Sequence, residues 1–393
     1  MTAILRDWFN YLVEIQEQIT SYYDEDGLQH SINEIEDAIQ LAEDDFEMEE
    51  ESSAAMNDYM ITKMMHAFTE HESARLRGPD DHRRLVVAAE QLLQQKQVEQ
   101  RSEAWYLEVR DLLTASEVGQ ILKPGRTRGQ LVLTKASGNT RSGGNSSPAV
   151  PSELMSAFDW GVRFEPVVKM IYESMYPGVK IHDVGRLYHP TLPKCAASPD
   201  GVVLGSGERA GRLIEIKCPV TREIRSGIPD DYYAQMQQQL EVTGLEECDY
   251  MEVKFRSKYS KDATLLTEGT ALFYGVLFRV EWDDADMLPE GRREDRMGNS
   301  RTDYIYGPVG DMSATCPTLK PGQRVVEVIP WEAIKINLIT VRRDRKWWSA
   351  TEQKIAEFWA DVEKARRGEF VLPASTRRSA ASVVDKEECL FVL

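Results

Sequence analysis

The most regular hydrophobic pattern in the chain is a series of short apolar and β-branched runs at 180–188, 201–204, 212–217, 249–256 and 271–282, separated by turn-forming Gly, Ser, Pro and Asp. Runs of this kind predict strands. Apolar side chains spaced by three and four predict helices over about 152–176, 230–243 and 341–367. Helix, strands, helix, strand describes a mixed α/β (α+β) domain, a central mixed sheet flanked by helices.

Upstream the periodicity is helical throughout. Ile32, Ile35, Ile39, Ala42 and Phe46 recur at helical steps within about 12–46, opposite an acidic face. The stretch 43–53 (EDDFEMEEESS) is a charge block with little to bury, a solvated linker or helix end. Further helices are predicted over about 56–74 and 81–109. Residues 137–147 (SGNTRSGGNSS) hold no apolar anchor and predict a mobile loop. The tail from 374 onward is expected to be disordered, although its apolar end, CLFVL, suits a short partner-binding peptide.

Charge changes the picture by its position. The chain has 393 residues and a formal net charge of −18, which looks wrong for a protein that handles phosphates. Residues 1–72, however, hold 19 acidic and two basic side chains (Arg6 and Lys63), so the rest, with 45 of the 47 Lys and Arg, is nearly neutral. A near-neutral body with clustered basic residues is compatible with a DNA groove.

No apolar run is long enough to span a membrane, and Arg6 and Asp7 interrupt the place of a signal peptide. The expectation is a soluble, intracellular protein. Five cysteines (Cys195, Cys218, Cys248, Cys316, Cys389) without CxxC spacing indicate neither a disulfide framework nor a zinc site.

Candidate chemistry lies in the middle of the chain. Ser198-Pro199-Asp200-Gly201 closes one strand, and after a turn signal the next reads Arg212-Leu-Ile-Glu215-Ile216-Lys217-Cys-Pro219. Strand alternation puts Glu215 and Lys217 on one face and Ile214 and Ile216 on the other. A hairpin would bring Asp200 beside them. Two converging carboxylates repel unless a cation neutralises them, and hard oxygen ligands suit Mg²⁺ or Mn²⁺. A lysine two residues on can hold and deprotonate a water near the metal, the combination required for metal-assisted phosphodiester hydrolysis.

Alone, this D…ExK pattern is weak, because an ExK on a strand is usually an exposed charge pair. Two flanks strengthen it. In WGVRFEP, Glu165 sits among apolar neighbours, where an unpaired carboxylate would be costly and a metal would supply a partner. In YYAQMQQQLEVTG, Gln235, Gln238 and Gln239 share helical spacing with Val242. Such a face is usually solvated, but here it directly follows the acidic hairpin and can reach over it.

WGVRFEP, SPDG, EIKCP and YYAQMQ, in that order and at these separations, closely resemble the lambda-exonuclease and YqaJ-like viral recombinase nucleases of the PD-(D/E)xK superfamily. The resemblance covers roughly 105–254 and a carboxy-terminal helix. It implies a restriction-endonuclease-like core and divides the chain into an acidic helical extension (1–80), a nuclease domain (81–372, core 105–256) and a disordered tail (373–393). It also implies that Asp200, Glu215 and the Ile216 carbonyl bind one metal ion, and that Glu165 and Asp200 contact a second. Lys217 then positions the water, and Gln235 orients Lys217 or that water.

Upstream, Trp105…Arg110…Thr114-Ala115-Ser116 looks like the family's W…R…TAS segment, whose Arg and Ser grip a 5′ phosphate. A guanidinium with a hydroxyl suits that group, and Ser198 is a further candidate contact. The Arg110–Ser116 spacing is one residue shorter than in the family, and His189 and Pro190 stand where it offers an additional acid. The other reading of Arg110 is a surface ion pair with Glu108 or Asp111. Arg342, Arg343, Arg345 and Lys346 beside Trp347 and Trp348 form a basic-aromatic cluster suited to DNA, unless the tryptophans belong to the core.

The activity implied is a Mg²⁺-dependent exonuclease that degrades the 5′-terminated strand of duplex DNA to mononucleotides in recombination or repair. The implied partners are double-stranded DNA ends and a single-strand annealing protein or recombinase, with a homo-oligomeric ring, a trimer, compatible with the family. A structure-specific or nicking endonuclease on the same core is an alternative. So is a non-catalytic scaffold at DNA ends, against which the intact acidic and basic set argues.

Overall fold

The computed structural model describes residues 79–98, 107–138, 157–207, 209–225, 227–258, 260, 271, 273–283 and 302–374. The helices expected over 12–46 and 56–74, most of the 137–147 loop and the tail from 375 lie outside the described residues.

A seven-stranded mixed sheet carries the domain, in the order β2-β5-β6-β7-β10-β8-β9. Its strands are β2 (Val179–His182), β5 (Gly201–Gly205), β6 (Leu213–Lys217), β7 (Glu247–Ser257), β8 (Phe273–Trp282), β9 (Thr302–Tyr306) and β10 (Gln323–Arg342). A small second sheet runs β1-β4-β3, from β1 (Leu113–Thr114), β4 (Cys195–Ala197) and β3 (Leu187–Tyr188). The helices are α1 (Pro79–Gln94), α2 (Ala115–Leu122), α3 (Arg126–Ala136), α4 (Ala157–Met175), α5 (Asp230–Thr243) and α6 (Arg345–Arg366). The expected mixed α+β architecture is the one observed.

Alternation along β6 sorts the core into two layers. Ile214 and Ile216 pack with Trp160, Phe164, Val167 and Ile171 of α4. Leu213 packs on the other side with Ala234, Met236 and Leu240 of α5. Each such side chain withdrawn from water contributes about 1.5–3 kcal/mol. Helix α5 follows β6 and precedes β7, which pairs parallel to β6 (Glu215↔Tyr250, Lys217↔Glu252). A parallel neighbour requires a crossover of this kind, and here the Gln-rich helix lies across the β6 face that bears Glu215 and Lys217.

One largely buried polar knot ties the layers. Asp249 accepts from Tyr172 Oη (2.6 Å), Arg209 (2.7 Å) and Thr340 Oγ1 (2.8 Å). Removing the Asp249 carboxylate would leave the buried Arg209 guanidinium without its ion-pair partner and cost about 3–5 kcal/mol.

Several expected boundaries move. The helix foreseen over 81–109 ends at Gln94, because Gln97 Nε2 donates to Leu92 O (2.6 Å) while its Oε1 accepts from Gly185 N (2.6 Å). The run at 180–188 divides between two sheets. The last helix begins at Arg345, where the Asp344 carboxylate caps Trp347 N (2.9 Å). Val341 and Arg342 instead end β10, which pairs with both β7 and β8. Among the described residues no helix is long and apolar enough to cross a membrane.

Candidate active site

β5 and β6 pair antiparallel, Gly201 opposite Ile214 and Val202 opposite Leu213, so Asp200 arrives beside the Glu215–Lys217 end of β6. Gly201 makes this possible: a Cβ there would come within 2.4 Å of the Ile181 side chain. Ile216 N donates to Asp200 Oδ2 (2.7 Å), which locks the carboxylate against the next strand.

Glu215 is 1% exposed. Its Oε1 accepts from Lys217 Nζ and from Gln235 Nε2 (2.7 Å), and its Oε2 from Gln239 Nε2 (2.6 Å). Lys217 Nζ also lies 3.4 Å from Gln235 Oε1 and 4.7 Å from the centre of the Tyr232 ring. Glu165, Asp200, Glu215, Ile216, Lys217 and Gln235 all line one open cavity of about 370 Å³.

The electrostatics follow from burial. Burial first, then the Glu215 and Glu165 charges, push the Asp200 carboxyl well above its usual range. Lys217 and the Ile216 N–H oppose this without offsetting it. Burial would lower the Lys217 ammonium, but Glu215 and Asp200 hold it above its ordinary value. It is therefore a charged hydrogen-bond donor. The Cys218 thiol is pushed well up by burial and the nearby acids, so it is no thiolate nucleophile near neutral pH.

Glu165 corrects an expectation. It is not an unpaired buried acid, since Lys169, one turn later, approaches it to 3.1 Å and also holds Asp183 at 2.7 Å. The i,i+4 spacing in EPVVK carried that signal. Among the described residues no three His, Cys, Asp or Glu side chains come together as a ready-made metal cage. Asp200 and Glu215, with a backbone carbonyl beside them, are hard oxygen donors, and the Glu165 carboxylate lines the same cavity. They fit an ion such as Mg²⁺, which keeps several of its waters.

The candidate phosphate side is built on the small sheet. β1 pairs parallel with β4, Leu113 opposite Cys195 and Thr114 opposite Ala196, and β4 runs into Ser198 and Asp200. Ser116 is exposed in the first turn of α2, its Oγ 3.2 Å from Thr114 Oγ1. Thr114 and Glu117 form a capping box there, with Thr114 N donating to Glu117 Oε2 (3.0 Å).

Arg110 is exposed in a 3-10 turn, Val109–Asp111. Its guanidinium packs where a side chain at Gly138 would otherwise lie. Neither neighbouring acid takes it up among the described residues: Asp111 pairs with Arg366 (3.1 Å), and Glu108 accepts from Tyr188 and lies 3.5 Å from Arg186. Ser198 is half-buried on the turn before Asp200.

Lys135 had not stood out as a candidate. Lys135, 3% exposed, reaches Glu117 (2.8 Å) and Val109 O (2.9 Å), joining the Arg110 turn to the Ser116 helix. The Gln face of α5 is not solvated, as such faces usually are: Gln237, Gln238 and Gln239 are buried. The available signal was the absence of any charge between Asp231 and Glu241.

The basic-aromatic cluster resolves towards structure. Arg343 pairs with Glu241 (2.9 Å) and Arg345 with Glu246, while Trp348 is buried and stacks on His189 at 5.7 Å. Cys195 and Cys248 are buried free thiols.

A mixed sheet with an acid-acid-lysine hairpin under a crossover helix is the arrangement that the resemblance to PD-(D/E)xK nucleases implies. Residues 104–246 match the YqaJ-like viral recombinase domain, one of the families that the order of the motifs resembles. An uncharacterized protein, R354, of Acanthamoeba polyphaga mimivirus is 28% identical over 234 residues. That alignment covers 54% of this chain and 40% of the relative, so the chain spans less than half of the relative's length.

Two solved structures are similar at low scores. The alkaline exonuclease LHK-Exo of Laribacter hongkongensis is 20% identical, covering 68% of this chain and 95% of its own, with a TM-score of 0.39. A phage-related exonuclease from Haemophilus somnus 129PT is 12% identical, covering 65% and 96%, with a TM-score of 0.38.

Proposed function

We propose that the chain is a divalent-metal-dependent DNA exonuclease that hydrolyses the 5′-terminated strand of a duplex, 5′ to 3′, and releases 5′-mononucleotides for recombination or repair. The observation that carries this reading is the meeting of Asp200, Glu215, Lys217 and Gln235 in one cavity.

Asp200, Glu215 and the Ile216 carbonyl would hold one Mg²⁺ or Mn²⁺ ion, and Glu165 with Asp200 a second. When bound, such ions polarise a phosphoryl oxygen and acidify a water. The protein's own residues do the rest. Glu215 is fixed from α5 by Gln235 and Gln239, so it presents one orientation. Asp200 is fixed by the Ile216 N–H. Lys217, held between Glu215, Gln235 and the Tyr232 ring, points a charged donor into the cavity. Its first task is to position the attacking water and offset charge on the phosphate. Arg110, Ser116 and Ser198 would receive the terminal 5′ phosphate.

Support for an exonuclease in preference to other nucleases comes from the domain match over 104–246 and from the exposure of Arg110 and Ser116, with Ser116 just beyond the strand that pairs with the segment leading to Asp200. DNA ends are the substrate in this reading, with a single-strand annealing protein or recombinase as the natural consumer of the 3′ strand left behind. The test compares linear duplex bearing a 5′ phosphate or 5′ hydroxyl with nicked and covalently closed circles, in Mg²⁺. Linear DNA should be consumed from its 5′ ends. Efficient cutting of closed circles would replace the proposal with an endonuclease. No cleavage of any substrate, together with unaltered DNA binding by Asp200→Ala, would replace it with a non-catalytic end-binding scaffold.

A further inference from the structure

Helix α5 touches both sides of the candidate site through two consecutive side chains. Gln238 Nε2 donates to Leu113 O in β1 (3.0 Å) and to Ala196 O in β4 (3.0 Å), using both of its amide hydrogens. Gln239 Nε2 donates to Glu215 Oε2 (2.6 Å). Both glutamines are fully buried. Leu113 lies three residues before Ser116, and Ala196 four before Asp200.

The ladder between the strands that Gln238 joins is short. β1 and β4 pair over two positions, with Leu113 N donating to Lys194 O (2.7 Å) just outside them. A slip of one residue turns side chains to the opposite face, and it would move Ser116 relative to Asp200. A slip would also break the paired bonds of Gln238, leaving a buried amide hydrogen and a buried carbonyl without partners. A lysine there would add an uncompensated buried charge, and an apolar residue would satisfy neither carbonyl. The rigid helix carrying Gln238 also carries Gln235 and Gln239, which hold Glu215.

We propose that Gln238 is a positioning residue that sets the separation between the terminal-phosphate pocket and the carboxylate centre, and thereby the length of the product released at each cut. This inference rests on the exonuclease reading. A 5′ phosphate held at Arg110 and Ser116 places one particular phosphodiester over Asp200 and Glu215. Which one it is depends on the β1–β4 register that Gln238 holds. Gln239 is the contrast: it acts on Glu215 alone, so it governs rate without governing register.

The experiment uses the full chain with Mg²⁺ on linear duplex carrying a 5′ phosphate or a 5′ hydroxyl, with products resolved by length. Wild type should release mononucleotides and prefer the 5′ phosphate. Gln238→Met should release di- and trinucleotides as well and lose about tenfold in 5′-phosphate preference, the scale of one hydrogen bond to a charged group. Gln239→Met should lower kcat and leave product length and preference as in wild type. Ser116→Ala combined with Gln238→Met should lose no more preference than Ser116→Ala alone, since both act on one pocket.

Thermal unfolding checks that Gln238→Met is folded. If it is not, Gln238→Asn, which keeps the amide and shortens its reach, gives the same readout. A folded Gln238 variant that yields only mononucleotides with unchanged 5′-phosphate preference would overturn the inference, whatever its rate. A wild-type chain that degrades no DNA ends, or ignores the 5′ phosphate, would overturn the exonuclease reading itself.

Discussion

At the carboxylate end of the candidate site, Glu215 is almost wholly buried and both its oxygens accept hydrogen bonds. At the candidate phosphate end, Arg110 and Ser116 lie in solvent. The first end is preorganised: buried groups with satisfied hydrogen bonds do not have to reorganise when charge develops. The second end is supported from beneath, by Lys135 and the Thr114–Glu117 capping box, but its contacting groups face water. The difference teaches a division of labour. In the proposed function, chemistry falls to the end whose geometry is over-determined, and recognition of the DNA end to the one that solvent can reach.

Substitutions at the buried end should therefore act most strongly. Lys217→Ala and Asp200→Asn should each lower the hydrolysis rate about 10²–10⁴-fold, the range for a positioned acid-base or charge-stabilising group. Gel-shift binding to DNA ends should persist. Chelation with EDTA should reduce cleavage to the same floor and Mg²⁺ should restore it, a result that single-turnover assays can check. A variant retaining near-native rates would erase the contrast between the two ends.

Lys135→Met comes next, because it lies under the exposed end but is itself buried. It leaves Glu117 partly exposed and without its ion pair, for which about 1–3 kcal/mol is expected in denaturant unfolding, discounted for solvent around Glu117. At the exposed end, Ser116→Ala and Arg110→Ala should each lower the rate ratio of 5′-phosphate to 5′-hydroxyl substrate about tenfold, with the 5′-hydroxyl rate nearly unchanged. If instead both substrates slowed equally, these side chains would belong to general DNA binding.

The smallest effect is expected at the carboxy-terminal cluster. Arg345 is paired with Glu246, so Arg345→Ala should alter the salt dependence of DNA binding by well under the slope of about one expected for a lost phosphate contact. A slope change near one would return this cluster to the DNA-binding surface.

How far the sequence could be read depended on the distance over which each interaction acts. Strand alternation is local, so Glu215 and Lys217 could be assigned to one face, and the hairpin with Asp200 followed from turn residues. The Glu165–Lys169 pair was equally local but was passed over, because its apolar neighbours suggested isolation. The split of 180–188 between two sheets and the early end of the first described helix depend on Gln97 meeting Gly185, a contact that no nearby residue announces. Of the β8–β10 extension only β8 was foreseen: β9 and most of β10 were not, and the end of β10 was assigned to the following helix.

By itself, then, the sequence determined which residues carry the candidate chemistry and which strand face presents them, because period-two alternation and motif order are properties of neighbouring residues. Only the tertiary structure decided that the glutamines of α5 are buried, that Gln238 joins strands from residues 113 and 196, and that Arg343 and Arg345 are taken up by acids near the end of α5. Those outcomes depend on a parallel β6–β7 pair whose crossover helix lies across the site, and on a two-residue ladder bringing distant segments together. Burial of a polar side chain is set by what packs over it, and what packs over α5 comes from elsewhere in the chain.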